Sequence, residues 1–152
     1  MTSVTKESVV SLREITEDTL RPFLKMKVAE DQRNLVAENS ISIAQAHFSK
    51  NARFRGIYAD ETPVGFMMWA ENTEENEYFL WRLMISADHQ RMSFGAHAVR
   101  WLIDYVQQIP DAKELMVSAV PGDNSPIPFY EKLGFISTGE YEGEELVLKY
   151  AF

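Results

Sequence analysis

The chain has 152 residues, with 15 Lys plus Arg against 23 Asp plus Glu, a net charge of −8 and no cysteine. That length suits one domain, 1–152, with a sizeable core, and the missing cysteine excludes disulfides, thiol catalysis and cysteine-ligated zinc. The acidic balance disfavours nucleic acid and would draw a cationic small molecule, although acidity also simply aids solubility.

Val9–Ile15 alternates as a first strand. Thr16 and Asp18 supply helix-start chemistry for a helix over Thr19–Val28, with Pro22 in its first turn. Asp31–Asn39 is polar and without a clear period, and Ser40 caps a short helix over Ile41–Phe48. Arg53–Ala59 and Val64–Ala70 read as a hairpin across Asp60-Glu61-Thr62-Pro63. Tyr78–Ile85 is a strongly apolar run, hence a central strand. A helix over Phe94–Ile109 puts Phe94, Ala98, Val99, Leu102, Ile103 and Val106 on one face before Pro110. Leu115–Val120 is a strand, Ser125–Leu133 a short helix ended by Gly134, and Phe135–Tyr141 with Leu146–Tyr150 a final hairpin across Glu142-Gly143. The order predicts a mixed α/β domain: one sheet with helices on its faces. No apolar run reaches the roughly 20 residues of a membrane span, and the N-terminal MTSVTKESVV lacks a secretory pattern. The expectation is a cytoplasmic protein.

Gln90-Arg91-Met92-Ser93-Phe94-Gly95-Ala96 joins the apolar strand to the amphipathic helix. Small residues there let backbone approach a ligand, and the N–H groups of a helix start converge on an anion. Alone, such a segment is often only a turn. Asn124-Ser125-Pro126-Ile127-Pro128-Phe129-Tyr130-Glu131-Lys132-Leu133-Gly134-Phe135 follows the next strand. In this reading Asn124 starts the helix and Tyr130 lies on its second turn. A tyrosine beside a phosphate site can act as a general acid; on an amphipathic helix it is more often a core residue.

Together the two segments resemble the GNAT superfamily of N-acetyltransferases. The superfamily's cofactor loop, Gln/Arg-x-x-Gly-x-Gly/Ala, is matched by Gln90, Ser93 and Gly95, and its later motif by Asn124, Tyr130 and Gly134-Phe135. Val28-Ala29-Glu30-Asp31-Gln32-Arg33-Asn34, Asn39, Ala44-Gln45-Ala46, Pro63-Val64-Gly65-Phe66, Trp81-Arg82-Leu83-Met84-Ile85, Val120-Pro121 and Thr138-Gly139-Glu140 are similar to bacterial spermine/spermidine (diamine) acetyltransferases. The resemblance implies one central mixed sheet of about seven strands with helices on both faces. It implies acetyl-CoA held where the fourth and fifth strands splay, with Leu83, Met84 and Ile85 along the pantetheine and thioester. Gln90, Arg91, Met92, Ser93, Phe94, Gly95 and Ala96 would hold the pyrophosphate. Asn124 would bond the pantetheine arm or backbone, and Lys132 would reach the phosphates or stand in solvent. Tyr130 would protonate the leaving thiolate after direct attack by an amine. Ser93 departs from the family's first loop glycine, and a positive φ there would cost serine about 1 kcal/mol.

The implied substrate is a primary amine, foremost a polyamine. The alternatives are a peptide N-terminus, a lysine, an aminoglycoside, or a non-catalytic acyl-CoA-binding module. No residue marks itself as the base; a water chain to Glu30, Glu38 or Glu77 is one route, though each reads more readily as a surface carboxylate. Glu71, Glu74, Glu75 and Glu77, and Glu140, Glu142, Glu144 and Glu145, form two clusters able to face a polycation, as solvated faces also look. Trp69, Tyr78 and Trp81 are candidates to flank an ammonium. His47, His89 and His97 have no metal-ligand spacing, so no metal is expected. A homodimer is the family's default.

Overall fold

The computed structural model describes residues 3–30 and 37–152. Asp31-Gln32-Arg33-Asn34, part of the polar stretch and of the subfamily-like segments, lies outside the described residues. The alternating segments pair into a seven-stranded sheet of order β1-β2-β3-β4-β5-β7-β6. β1 (Val10–Arg13), β2 (Ala52–Ala59), β3 (Thr62–Asn72) and β4 (Glu77–Ile85) form an antiparallel meander. β5 (Glu114–Ala119) joins β4 in parallel, and β7 (Glu145–Ala151) lies between β5 and β6 (Ile136–Glu142), antiparallel to both. The β2–β3 turn needs only Asp60 and Glu61, because Ala59 already pairs with Thr62. Asp60 takes φ 53, which its short polar side chain tolerates, and its carboxylate accepts from the Val9 N–H at 3.0 Å.

Two apolar layers cover the sheet. On one face α3 (Phe94–Gln107) buries Phe94, Ala98, Val99, Leu102, Ile103 and Val106, the predicted stripe, against Ile57, Trp69, Leu80 and Val117. At about 1.5–3 kcal/mol for each large apolar side chain, this interface outweighs any local propensity of the helix. On the other face α1 (Leu20–Lys25) and α2 (Asn39–His47) flank a cluster of Val28, Phe66, Met68 and Met84. Gly56 on β2 lets the Phe23 ring of α1 lie against the strand, where a Cβ would collide with it.

The strand ends shift by a residue or two from the sequence reading, and all four helices differ from it in their bounds. The first helix stops at Lys25 rather than Val28. Ser40 is not the cap of α2: Glu38 occupies that position, and the buried Asn39 donates to the Phe23 carbonyl at 2.8 Å, so docking on α1 sets the helix start. α3 ends at Gln107 because Pro110 disfavours helical geometry at Ile109. The last helix, α4, covers only Ile127–Lys132: Pro126 restricts Ser125, so Asn124 lies before the helix and does not start it. Among the described residues no helix is long and apolar enough to cross a membrane.

Candidate active site

β4 pairs with β3 along its length but with β5 only at Phe79↔Met116 and Leu80↔Val117. The cause is visible one residue further on. Met68 faces Arg82 while Trp69 faces Leu80, so Trp81 is the extra residue of a β-bulge. Bulges bend a strand and sharpen its twist, and here β4 leaves β5 at that point. A cavity of about 940 Å³ opens in the gap, lined by Trp81 to Ile85 on one side and Val117 to Val120 on the other.

The loop before α3 closes one end. The Gln90 amide donates to the Ile85 carbonyl at 3.0 Å, tying the loop to the strand end. Arg91 and Ser93 then take φ 65 and 67, so serine does occupy a left-handed position. The Ser93 side chain makes no capping bond to α3, and the first intrahelical bond is donated by the His97 N–H to Ser93 O at 3.1 Å. The preceding N–H groups of the first turn are the ones a helix start leaves for an anion. Gly95 lines the cavity with an ordinary helical φ; a Cβ there would touch Phe129 at 3.5 Å and Ile85 at 3.6 Å without collision. Its space, not its conformational freedom, is what it contributes.

α4 closes the opposite wall. Tyr130 is 6% exposed and lines the cavity. Its ring stands edge-on to Phe129 at 5.1 Å and Phe135 at 5.6 Å. Burial pushes its phenol well above the ordinary tyrosine range, so at neutral pH it keeps its proton. Asn124 lines the cavity with φ 63.

The cavity therefore gathers Leu83, Met84, Ile85, Gln90, Arg91, Ser93, Phe94, Gly95, Ala96, Asn124, Tyr130 and Trp81. Met92 does not line it; that side chain packs against the core. Lys132 is exposed at the end of α4 and is not on the wall either. Glu30 and Glu77 stand elsewhere, Glu77 at the far end of β4. Glu38 lines a separate small recess beside the cavity. Of the two glutamate clusters, the first is remote: Glu71 accepts from Trp69 at 3.2 Å and Tyr105 at 2.8 Å, and Glu74 pairs with Lys50 at 3.7 Å. The second contributes Glu145 alone. Trp69 and Tyr78 belong to the core, leaving Trp81 as the aromatic candidate at the site.

Three polar side chains on the wall were not individually singled out as binding residues. Arg82 is half-buried, and desolvation pulls its guanidinium below its usual value, opposed by the charge of Glu145. Its isolation within an apolar strand was the available signal. Glu145 could not be separated from its neighbours without the register of β7. His89 completes the set, and its Nδ1 is buried without a partner among the described residues. No group of His, Asp or Glu among the described residues could hold a metal ion.

Comparisons with known proteins agree with this geometry. The model of the Acetyltransferase (GNAT) family matches residues 11–135. The spermine/spermidine N(1)-acetyltransferase of Bacillus subtilis strain 168 is 21% identical over 148 residues, 92% of this chain and 97% of the relative. The spermidine N-acetyltransferase of Vibrio cholerae, solved with CoA and spermine, superimposes with a TM-score of 0.72 at 13% identity, covering 93% of this chain and 95% of that one. The ribosomal-protein-S18-alanine N-acetyltransferase of Escherichia coli does so with 0.68 at 15% identity, covering 94% of each. These solved structures show the shared fold. The chain belongs to the GNAT family of acetyltransferases.

Proposed function

We propose that this acetyltransferase moves an acetyl group from acetyl-CoA to a primary amine of a linear polyamine, with Tyr130 as general acid. The observation that carries the reading is the cavity where β4 leaves β5, which joins an uncapped helix start to a buried, protonated tyrosine. The residues present fit the cofactor: β4 beyond Leu80 has no ladder partner in β5, and Gly95 leaves room beside the strand end. The cofactor supplies the activated acetyl thioester.

In this reading the first turn of α3, with Ser93 to Ala96 and Arg91, holds the pyrophosphate. Backbone groups of Leu83, Met84 and Ile85 bind the extended arm as an added strand would, and one N–H polarises the thioester carbonyl. The neutral amine nitrogen would form the new C–N bond as the C–S bond breaks; Tyr130 would give its proton to the departing sulfur, and the proton shed by the amine would pass through solvent to restore the phenol. Gln90 acts by holding the loop against Ile85. The polyamine assignment draws support from the Bacillus relative and from Glu145 on the cavity wall. Edge strand β6 exposes Ile136 and Tyr141, which supports a homodimer.

Arg82 favours a second reading, an acceptor such as a peptide N-terminus that brings an acidic group with its amine. A thiol-release assay with acetyl-CoA and, in turn, spermidine, a peptide and an aminoglycoside tests both. Turnover of spermidine above the others is expected. Acetylation of the peptide with none of spermidine would overturn the polyamine reading.

A further inference from the structure

The acetyl transfer to a polyamine leaves Arg82 without a part, yet Arg82 stands on the cavity wall. It follows Trp81, the extra residue of the bulge, where β4 leaves β5. Neutral acceptors hold its guanidinium: Nη2 donates to Gln45 Oε1 of α2 at 3.2 Å and Nη1 to the Trp81 carbonyl at 3.4 Å. Arg13 and Arg55 each pair with a carboxylate, but Arg82 makes no ion pair among the described residues. The opposing charge on the wall, Glu145 of β7, acts on it only through space. A half-buried cation without a contacting counter-ion keeps much of its field, and an arginine stays charged throughout the neutral range. The other titratable groups lining the cavity are Tyr130 from α4 and His89 and Arg91 from the segment before α3; the β3 residue facing Arg82 is the uncharged Met68.

We propose that Arg82 brings the acceptor amine to its reactive neutral form: its charge disfavours an ammonium at the reacting end of the cavity, so that the bound acceptor gives its proton to solvent. The inference rests on the amine-acetylating reading and supplies what that reading lacks. An alkyl amine in water holds its proton to about pH 10, and Glu30, Glu38 and Glu77 do not line the cavity. The placement follows from that of the cofactor. With the phosphates at the start of α3 and the arm running back along Ile85, Met84 and Leu83, the thioester lies toward the bulge and so toward Arg82. Trp81 and Met84 pack on the sheet face that carries α1 and α2, and Arg82 bonds to α2, so its guanidinium is on the face opposite α3. A like charge disfavours the charged form of its neighbour, the device by which a lysine beside a second cation becomes a nucleophile. Water takes the proton before the nitrogen attacks, and no protein carboxylate is required. Glu145 opposes Arg82 and limits the shift.

The test is the pH profile of acetylation by the full chain at saturating acetyl-CoA, with spermidine and hexylamine, neither of which brings an anion for Arg82 to bind. The profile of kcat reports the bound acceptor and that of kcat/KM the free one. In the wild-type protein the rising limb of kcat should lie below that of kcat/KM, and lower still with 2-methoxyethylamine, a less basic primary amine. Arg82→Gln should move the kcat limb up by about 0.5–1 pH unit and leave the kcat/KM limb in place, so that kcat and KM fall together about three- to tenfold at pH 7 and kcat recovers in alkali. Arg82→Lys keeps the charge and should keep the limb. Glu145→Gln, at an exposed position, should move the limb down and raise kcat at pH 7. A mere clasp between β4 and α2 would instead lower kcat equally at every pH. A kcat limb unmoved in Arg82→Gln overturns the proposal, as does an Arg82→Lys limb displaced as far as that of Arg82→Gln. So does a limb indifferent to the acceptor's basicity, which would belong to a protein group such as His89, or a fall of kcat at pH 7 in Glu145→Gln, the mark of a base. If Arg82→Gln does not fold, the Glu145→Gln result decides alone. Failure of the polyamine reading is distinct: another amine would be acetylated and spermidine not, and the limbs are then read on the amine that reacts.

Discussion

Ser93 is the place where sequence departs from family pattern and structure reveals the consequence. Its backbone sits at φ 67, ψ 14, the left-handed region, and its hydroxyl makes no capping bond to α3. An L-residue held there costs about 1–2 kcal/mol. Ser93→Gly removes that strain but frees the unfolded chain, which costs about 0.5–1 kcal/mol. The net expectation is a gain of about 0–1.5 kcal/mol, or a melting temperature higher by no more than about 3–6 °C for a domain of this size. CoA should bind with equal or greater affinity, because no hydroxyl contact is lost and the approach to the loop is widened. Ser93→Val puts a β-branched residue at the same φ and should lose at least as much as Gly gains. Thermal melts of the three proteins, with and without CoA, and calorimetric titration of CoA read both quantities. Weaker CoA binding in Ser93→Gly would refute the reasoning, since the hydroxyl would then be a ligand contact rather than a bystander on a strained backbone.

Gly95→Ala should raise the stability of the free protein by about 0.5 kcal/mol, from helix propensity, and lower CoA affinity, because the added methyl enters the cavity; melting and titration should move in opposite directions. Tyr130→Phe should cut turnover about 10²–10⁴-fold with little change in CoA affinity, measured where chemistry limits the rate. With the Tyr130 phenol raised above its ordinary 10.0, its proton is retained throughout the neutral range, so kcat should show no falling limb from it between pH 7 and 9. The same shift favours the folded state fully below 10.0, and that stability is lost as pH rises through the folded value, so Tyr130→Phe should melt with a flatter alkaline profile. Arg82→Gln should lower the KM for spermidine severalfold and Glu145→Gln should raise it, while the paired change of Glu74 and Glu75 should leave it unmoved; steady-state kinetics at low and physiological salt distinguish these.

The fold was legible wherever burial is periodic. The stripe from Phe94 to Val106 specifies α3, and the apolar run Tyr78–Ile85 specifies a central strand, because in both the same residues determine local shape and packing. Legibility stopped where one residue's role depends on another element. The bulge at Trp81 leaves no sign in an apolar strand, since its extra residue is defined only by the pairing with Met68 and Trp69. Glu145 was indistinguishable from Glu140, Glu142 and Glu144 because exposure along a hairpin carries no address. The cap of α2 was misplaced for a related reason: the side chain that organises the helix start reaches across to the Phe23 carbonyl. Within the loop, the small residues marked the site but conflated two functions. Ser93 bears the unusual backbone angle, and Gly95 supplies the space.

Net charge was the least local of the signals, and the cavity shows why it should not be read as a description of a site. The chain carries −8, yet the charged groups on the cavity wall are Arg82 and Arg91 against Glu145. Such an arrangement suits two substrates of opposite sign. An anionic cofactor approaching an acidic protein needs a local cation, and in the proposed reading Arg91, on the cavity wall, supplies a charge that offsets the general repulsion. A polycationic acceptor gains from the overall field during approach, but that gain is screened beyond about 8 Å at physiological ionic strength. At contact the outcome passes to individual groups: Arg82 opposes a cation, and Glu145 tempers Arg82. The balance of charge on the wall, not the surface total, is what an acceptor meets there. An acidic composition can therefore favour the approach of a cation while leaving contact to single wall residues such as Glu145, too few to register in the composition.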